Sequence, residues 1–187
     1  DWNYELHEPG WVNNELQSYV KSEENVYTKD GKLVIKPVET KDENGNTAYT
    51  SGRVNTQGKH DFTYGLFEAS IKMPKGQGFL PAFWMMPTDE NLYGQWPRCG
   101  EIDIAEVLGN DTGTTYGTIH YGNPHKESQG SYVLSEGDFA EEFHTYACEW
   151  NPGEIKWYVD GNLIHTANDW YSATEGLGEI TFPAPFD

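Results

Sequence analysis

The stretch Gly100-Glu101-Ile102-Asp103-Ile104-Ala105-Glu106-Val107 holds the residues best suited to do chemistry. Three carboxylates fall within six positions, separated by apolar residues in the manner of a strand. Side chains along a strand alternate between its faces, so Glu101 and Asp103 share one face and Glu106, at an odd offset from Glu101, points to the other. One extra residue at Ile104-Ala105, a β-bulge, returns Glu106 to the shared face. Glu101 and Glu106 then stand about four strand steps apart, roughly 13 Å between Cα atoms. Inward-leaning side chains bring their carboxyls to about 5–6 Å, near the ~5–5.5 Å spacing at which two carboxyls cleave a glycosidic bond with retention. In such a pair one ionised carboxylate attacks the anomeric carbon, and a protonated one delivers its proton to the leaving oxygen. Asp103 between them can hydrogen-bond the nucleophile and hold the two pKa values apart.

Acids alternating on a strand have two other readings, a solvated face and a hard-cation site, because carboxylate oxygens suit calcium. The stretch lacks the Asn, Asp and Gly loop chemistry of calcium cradles, and its apolar residues Ile102, Ile104 and Val107 suit a buried strand. Trp96 lies five residues upstream, and Trp84 sits in Pro81-Ala82-Phe83-Trp84-Met85-Met86-Pro87. Indole faces stack on the C–H faces of sugar rings, although any single Trp is more often core.

The elements that must carry these residues are strands. Phe67, Ala69, Ile71 and Met73 alternate with Glu68, Ser70 and Lys72, and Ile155, Trp157 and Val159 alternate with Lys156, Tyr158 and Asp160. Asp30-Gly31 and Asp160-Gly161, each between short apolar runs, predict β-hairpins, since Asp-Gly supplies the positive φ of tight turns. Asn151-Pro152-Gly153 predicts another reversal after Thr145–Trp150. Further strands are expected near Thr47–Asn55, Leu80–Met86, Glu101–Val107 and Thr114–Tyr121. Only Asn168–Thr174 suggests a short turn or helix. Many short strands punctuated by Gly and Pro predict an all-β sandwich or jelly roll in one domain.

Composition narrows the function. The chain has 187 residues, 12 Lys plus Arg against 30 Asp plus Glu, and a net charge of −18. That balance repels phosphate backbones and anionic lipid surfaces, so neither nucleic acid nor membrane is an expected partner. The longest apolar run, Phe79–Pro87, is far short of the ~20 residues of a membrane span. Seven Trp, twelve Tyr and eight Phe indicate a packed domain rather than an acidic disordered chain. Cys99 and Cys148 form one disulfide, remain two buried thiols, or are unrelated; they have no zinc spacing.

Glu101-Ile102-Asp103-Ile104-Ala105-Glu106 resembles the active-site signature of glycoside hydrolase family 16 in its six-residue, bulged form, that of the laminarinases. Gly10–Gln17, Thr50–Arg53, Tyr64–Ala69, Leu80–Met85, Gly117–Gly122 and Phe143–Tyr146 follow in the family's order, so the resemblance covers essentially the whole chain. It implies a concanavalin-like β-jelly-roll sandwich with a glycan groove on its concave face. It also implies a secreted endo-β-1,3-glucanase that works on a neutral β-glucan and needs no cofactor for its chemistry. Glu101 resembles the nucleophile, Glu106 the acid/base and Asp103 the assisting carboxylate. Asn14 and Arg53 match positions that hydrogen-bond sugar hydroxyls, Trp84 and Trp96 match groove-lining residues, and His120 matches a histidine facing the carboxylates. A mixed-linkage β-1,3-1,4-glucanase and a non-catalytic lectin-like jelly roll are the alternatives. Many family members bind structural calcium through residues near their two ends, which cannot be assigned to positions here. Relatives also carry strands ahead of Trp2 and beyond Phe182–Asp187. Residues 1–187 are therefore expected to be one domain incomplete at both ends, as a fragment, a permuted or split form, or a chain whose missing strands a partner chain supplies.

Overall fold

The computed structural model describes residues 1–171, which fall into two compact units, Asp1–His60 and the chain from Asp61 onward. The first unit contains seven short strands: β1 (Asn3–Tyr4), β2 (Gln17–Tyr19), β3 (Val26–Lys29), β4 (Lys32–Ile35), β5 (Val38–Lys41), β6 (Thr47–Ser51) and β7 (Val54–Asn55). β3 and β4 form the expected hairpin, with Asp30 and Gly31 at φ 50° and 73° in its turn. β2 runs parallel to β6, which pairs antiparallel with β5. Only Asn25 and Val26 are buried in this unit, and the Asn25 amide is satisfied by Lys36 O and Thr50 Oγ1 at 2.9 and 3.0 Å.

The second unit is a sandwich of two four-stranded antiparallel sheets. Its strands are β8 (Gly65–Ile71), β9 (Ala82–Met85), β10 (Glu101–Leu108), β11 (Asp111–Tyr121), β12 (Lys126–Val133), β13 (His144–Asn151), β14 (Glu154–Val159) and β15 (Asn162–Ala167). One sheet has the order β12-β11-β10-β9 and the other β15-β14-β13-β8. The turns at Pro152-Gly153 and Asp160-Gly161 join β13, β14 and β15 as their residue types predict.

Period-two alternation dictates the core between the sheets. Ile102, Ile104, Ala105, Val107 and Ile119 from one sheet meet Tyr146, Trp150, Ile155, Trp157 and Val159 from the other, all essentially without solvent exposure. Each large apolar side chain sealed there contributes about 1.5–3 kcal/mol. Two glycines let the sheets close up. Gly117 and Gly130 are paired across β11 and β12, and a Cβ on them would lie 2.5 Å from Trp157 Cδ1 and 2.3 Å from His165 Cβ. The rings of Trp157 and His165 occupy the space that those side chains would need.

A single helical turn, α1 (Glu90–Tyr93), was not legible in the sequence; Asp89 Oδ1 caps it by accepting from Asn91 N at 3.0 Å. Four residues are too few to show a helical face. Of the expected turn at Asn168–Thr174, Asn168–Tyr171 is irregular and the remainder lies outside the described residues. Cys99 and Cys148 are free buried thiols, so the disulfide alternative does not hold. No helix among the described residues is long and apolar enough to cross a membrane.

Candidate active site

The register of β10 with its neighbours decides where the three carboxyls point. Ile102 stands opposite Met85 of β9, Asp103 opposite Trp84, Ala105 opposite Phe83 and Glu106 opposite Ala82. Two residues, Ile104 and Ala105, therefore fill one step of the partner strand, and both are buried in the core. This is the bulge that the sequence requires, at the expected position. It turns Glu106 onto the face of Glu101 and Asp103 while Ile102 and Val107 stay inside.

The bulge is supported from the opposite sheet. On β11, Asp103 pairs with Thr118 and Glu106 with Tyr116, leaving Gly117 facing the two bulged residues. The Trp157 ring of β14 fills the space over Gly117, and its Nε1–H donates to the Asp103 carbonyl at 2.8 Å, fully buried. Thr115 Oγ1 donates to the Glu106 carbonyl at 3.1 Å. Carbonyls that a register shift takes out of the ladder thus find fixed donors.

Around the carboxyls stand the other residues expected in this sheet. The Trp96 indole, about half exposed, donates from Nε1 to Glu101 Oε2 at 2.6 Å. His120 is the register partner of Glu101, and its Nε2 lies 3.2 Å from Asp103 Oδ2. Trp84, half-buried, faces Asp103 across β9 and β10. Glu101, Asp103, Glu106, Trp84, Trp96 and His120 therefore share one sheet face.

Burial raises all three carboxyl pKa values. For Glu101, desolvation is reinforced by the Asp103 charge and opposed by His120 and the Trp96 N–H. For Asp103 the second influence is the Glu106 charge, and for Glu106 it is the Glu101 charge. Glu101 and Asp103 each oppose the other's or a neighbour's ionisation, so like charges on one buried face favour a neutral carboxyl among the three. The arrangement does not fit calcium. That ion takes 6–8 oxygens, whereas Glu101 and Asp103 are bordered by an indole N–H and an imidazole nitrogen.

Asn14 and Arg53 lie in the first unit. Asn14 is exposed at φ 54°, in a left-handed turn after Asn13. The Arg53 guanidinium is held by Glu5, with Nε 2.8 Å from Oε2, and lies over the Trp11 ring at 4.9 Å.

The sequence profile described as glycosyl hydrolases family 16 matches residues 13–184. The chain belongs to that family. Among family relatives, the glucan endo-1,3-beta-glucosidase A1 of Niallia circulans is 40% identical over 99% of this chain and 30% of its own length. The glucan endo-1,3-beta-glucosidase of Cryptopygus antarcticus is 39% identical over 88% of this chain and 63% of its own. The chain thus spans less than two thirds of these curated relatives. The laminarinase catalytic domain of Thermotoga maritima MSB8 superposes with a TM-score of 0.81, at 40% identity, over 99% of this chain and 77% of that one. The fold is accordingly the family's all-β jelly-roll sandwich.

The family face also contains residues that sequence reasoning missed. His125, in the turn between β11 and β12, places Nε2 2.9 Å from His120 Nδ1, and its ring centroid lies 5.0 Å from that of Trp96. Glu127 is the register partner of His120, and Gln129 donates to Thr118 Oγ1 at 2.9 Å. The polar alternation Glu127, Gln129, Ser131 was the available signal, once β12 is known to be a strand.

Proposed function

We propose that this protein is a retaining endo-β-1,3-glucanase that hydrolyses internal linkages of a laminarin-like glucan through a covalent glycosyl-enzyme intermediate. The observation that carries the reading is the bulge at Ile104-Ala105, which sets Glu101, Asp103 and Glu106 on one face of a family 16 sheet. Glu101 is the nucleophile. The Trp96 N–H, a donor only, favours its anionic form and aims the free oxygen toward the sugar. Asp103 is the assisting carboxylate beside Glu101, on the family resemblance. Glu106, the acid/base on the family resemblance, gives its proton to the leaving oxygen and then removes one from the water that releases the sugar. Trp84 and Trp96 offer ring faces to glucose units, and His120 steadies Asp103. Asn14 and Arg53 are assigned to glucan hydroxyls on the family resemblance.

The names of the two relatives favour β-1,3 over mixed linkages. A binding module has no use for a neutral carboxyl beside a charged one, which disfavours the lectin reading. A polysaccharide substrate is met outside the cell, so secretion belongs to the same proposal. The test is reducing-end release from laminarin and from a mixed-linkage glucan, with the anomer of the first product read by proton NMR. We expect β-product first, faster on laminarin, and a loss of about 10³-fold or more in Glu101→Gln. Unchanged activity in Glu101→Gln, or α-product first, would overturn the mechanism.

A further inference from the structure

The hairpin joining β11 to β12 holds a constellation of which the proposed hydrolysis uses only His120. His120 near the end of β11, His125 in the turn and Glu127 across from His120 converge, with one ligand atom from each lying within 4.8 Å of the others. His120 Nδ1 is 2.9 Å from His125 Nε2 and 3.6 Å from Glu127 Oε2. Its other nitrogen, Nε2, faces Asp103 Oδ2 at 3.2 Å. The tautomer with its proton on Nε2 leaves the Nδ1 lone pair on the side of His125 and Glu127.

We propose that His120 Nδ1, His125 Nε2 and the Glu127 carboxylate bind one divalent transition-metal ion of the zinc type, and that the bound ion inhibits the enzyme. Two imidazoles and one carboxylate suit zinc, copper or nickel, whereas calcium and magnesium call for oxygen cages. Three protein ligands leave a fourth, tetrahedral position for water. Two nitrogens at ~2.0–2.1 Å from a tetrahedral ion stand ~3.3 Å apart, a few tenths of an ångström beyond their present spacing. The two rings, now nitrogen to nitrogen with centroids 5.1 Å apart, must also turn so that both lone pairs meet at one ion. His125 and Glu127 are exposed and free to make that adjustment. No proton has to leave the protein, because a neutral His125 frees Nε2 by carrying its hydrogen on Nδ1. All three ligands come from one hairpin, so little chain entropy opposes their convergence.

The inhibitory consequence rests on the proposed glucanase activity. An ion held here sits beside the Trp96 ring and ties up His120, the neighbour of Asp103. It therefore occupies the face on which a glucose unit would stack.

Calorimetric titration of zinc chloride into metal-free protein, with calcium chloride as the control, measures the site without reference to activity. We expect one zinc per chain with a micromolar or tighter Kd. His125→Gln and Glu127→Gln should each weaken it at least tenfold, and calcium should show no dependence on His125. Laminarin hydrolysis by the wild type should fall over the same zinc range and recover with chelator, while His125→Gln keeps its metal-free rate there. Equal zinc affinity in the wild type and both variants overturns the site. Zinc binding that depends on His125 but leaves hydrolysis untouched overturns the inhibition. A metal-free wild type inert on laminarin would count against the glucanase reading alone, since the calorimetry still decides the site.

Discussion

Strand β10 and strand β13 belong to opposite sheets of the same sandwich and share a pattern. Each has an apolar inner face sealed in one core, Ile102, Ile104 and Val107 on the first and Tyr146, Cys148 and Trp150 on the second, and the outer face has three acids on the first and one, Glu149, on the second. Their electrostatics are opposite. Glu149 of β13 stands across from Lys156 and accepts from Asn151 Nδ2 at 3.0 Å and from Tyr158 Oη at 3.1 Å. Those bonds hold its carboxyl below the ordinary range. Glu101, Asp103 and Glu106 face one another, an imidazole and indoles, and all three are pushed up. The acids differ first in burial and then in what the neighbouring strands offer them. Desolvation with counter-charge withheld separates a reactive strand from a solvated one.

The comparison predicts its largest effect at Glu106. Replacing it with Gln removes the proton donor, and kcat on laminarin should fall about 10²–10⁴-fold, whereas Glu149→Gln should leave kcat within about twofold, surface changes being mild. An aryl β-glucoside oligomer, whose leaving group departs without protonation, separates chemistry from damage. Glu106→Gln should retain far more of its glycosylation rate on that substrate than on laminarin. Equal losses on both substrates would mean that the substitution acts through structure, and a comparable loss in Glu149→Gln would erase the distinction between the strands.

Much of this site was legible before folding. The odd spacing of Glu106 from Glu101 demanded an extra residue, and the adjacent apolar pair Ile104-Ala105 was the one place to put it. Asp30-Gly31 and Asp160-Gly161 marked their hairpins because only a few residue types accept positive φ. Strand β12 was not legible, and the reason is physical. Its inner face is Ser128, Gly130 and Tyr132, and Gly130 must stay bare so that His165 can pack against it. A strand that yields its core volume to the other sheet shows no apolar alternation. His125 and Glu127 became visible only through the register of that strand with β11. Trp157 read as one more core aromatic, because a hydrogen bond between sheets depends on a depth and offset that no local pattern encodes.

Trp157 supplies the next effect. Trp157→Phe keeps a ring over Gly117 but leaves the Asp103 carbonyl buried without its donor, at a cost of about 1–3 kcal/mol. A loosened bulge lets Glu106 drift relative to Glu101, and misplacement of a reacting group lowers rate more than binding. We expect kcat to fall about tenfold with KM little changed. The matched deletion one residue along the same strand, Tyr158→Phe, removes a donor to Glu149 and should move neither kcat nor KM. If Trp157→Phe lowers the melting temperature without touching kcat, the indole is only packing.

The smallest effect is a matter of sign. Glu101 has a folded-state pKa raised above its ordinary value of 4.5. Its contribution to stability is complete below that value and is lost as pH rises, because the unfolded chain gives up the proton first. Glu149 has a lowered pKa, so its contribution is present above the ordinary range and is lost as pH falls through the folded value. Gln mimics a neutral carboxyl, so Glu101→Gln should melt close to the wild type in acid and gain on it as pH rises toward neutrality. Glu149→Gln should do the reverse, losing ground to the wild type as pH rises out of the acid range. Differences of a few degrees suffice, since about 1 kcal/mol moves Tm by about 2–4 °C in a chain of this size. Thermal melts at a series of pH values read both slopes, and slopes of the same sign would show that the two strands share one electrostatic environment after all.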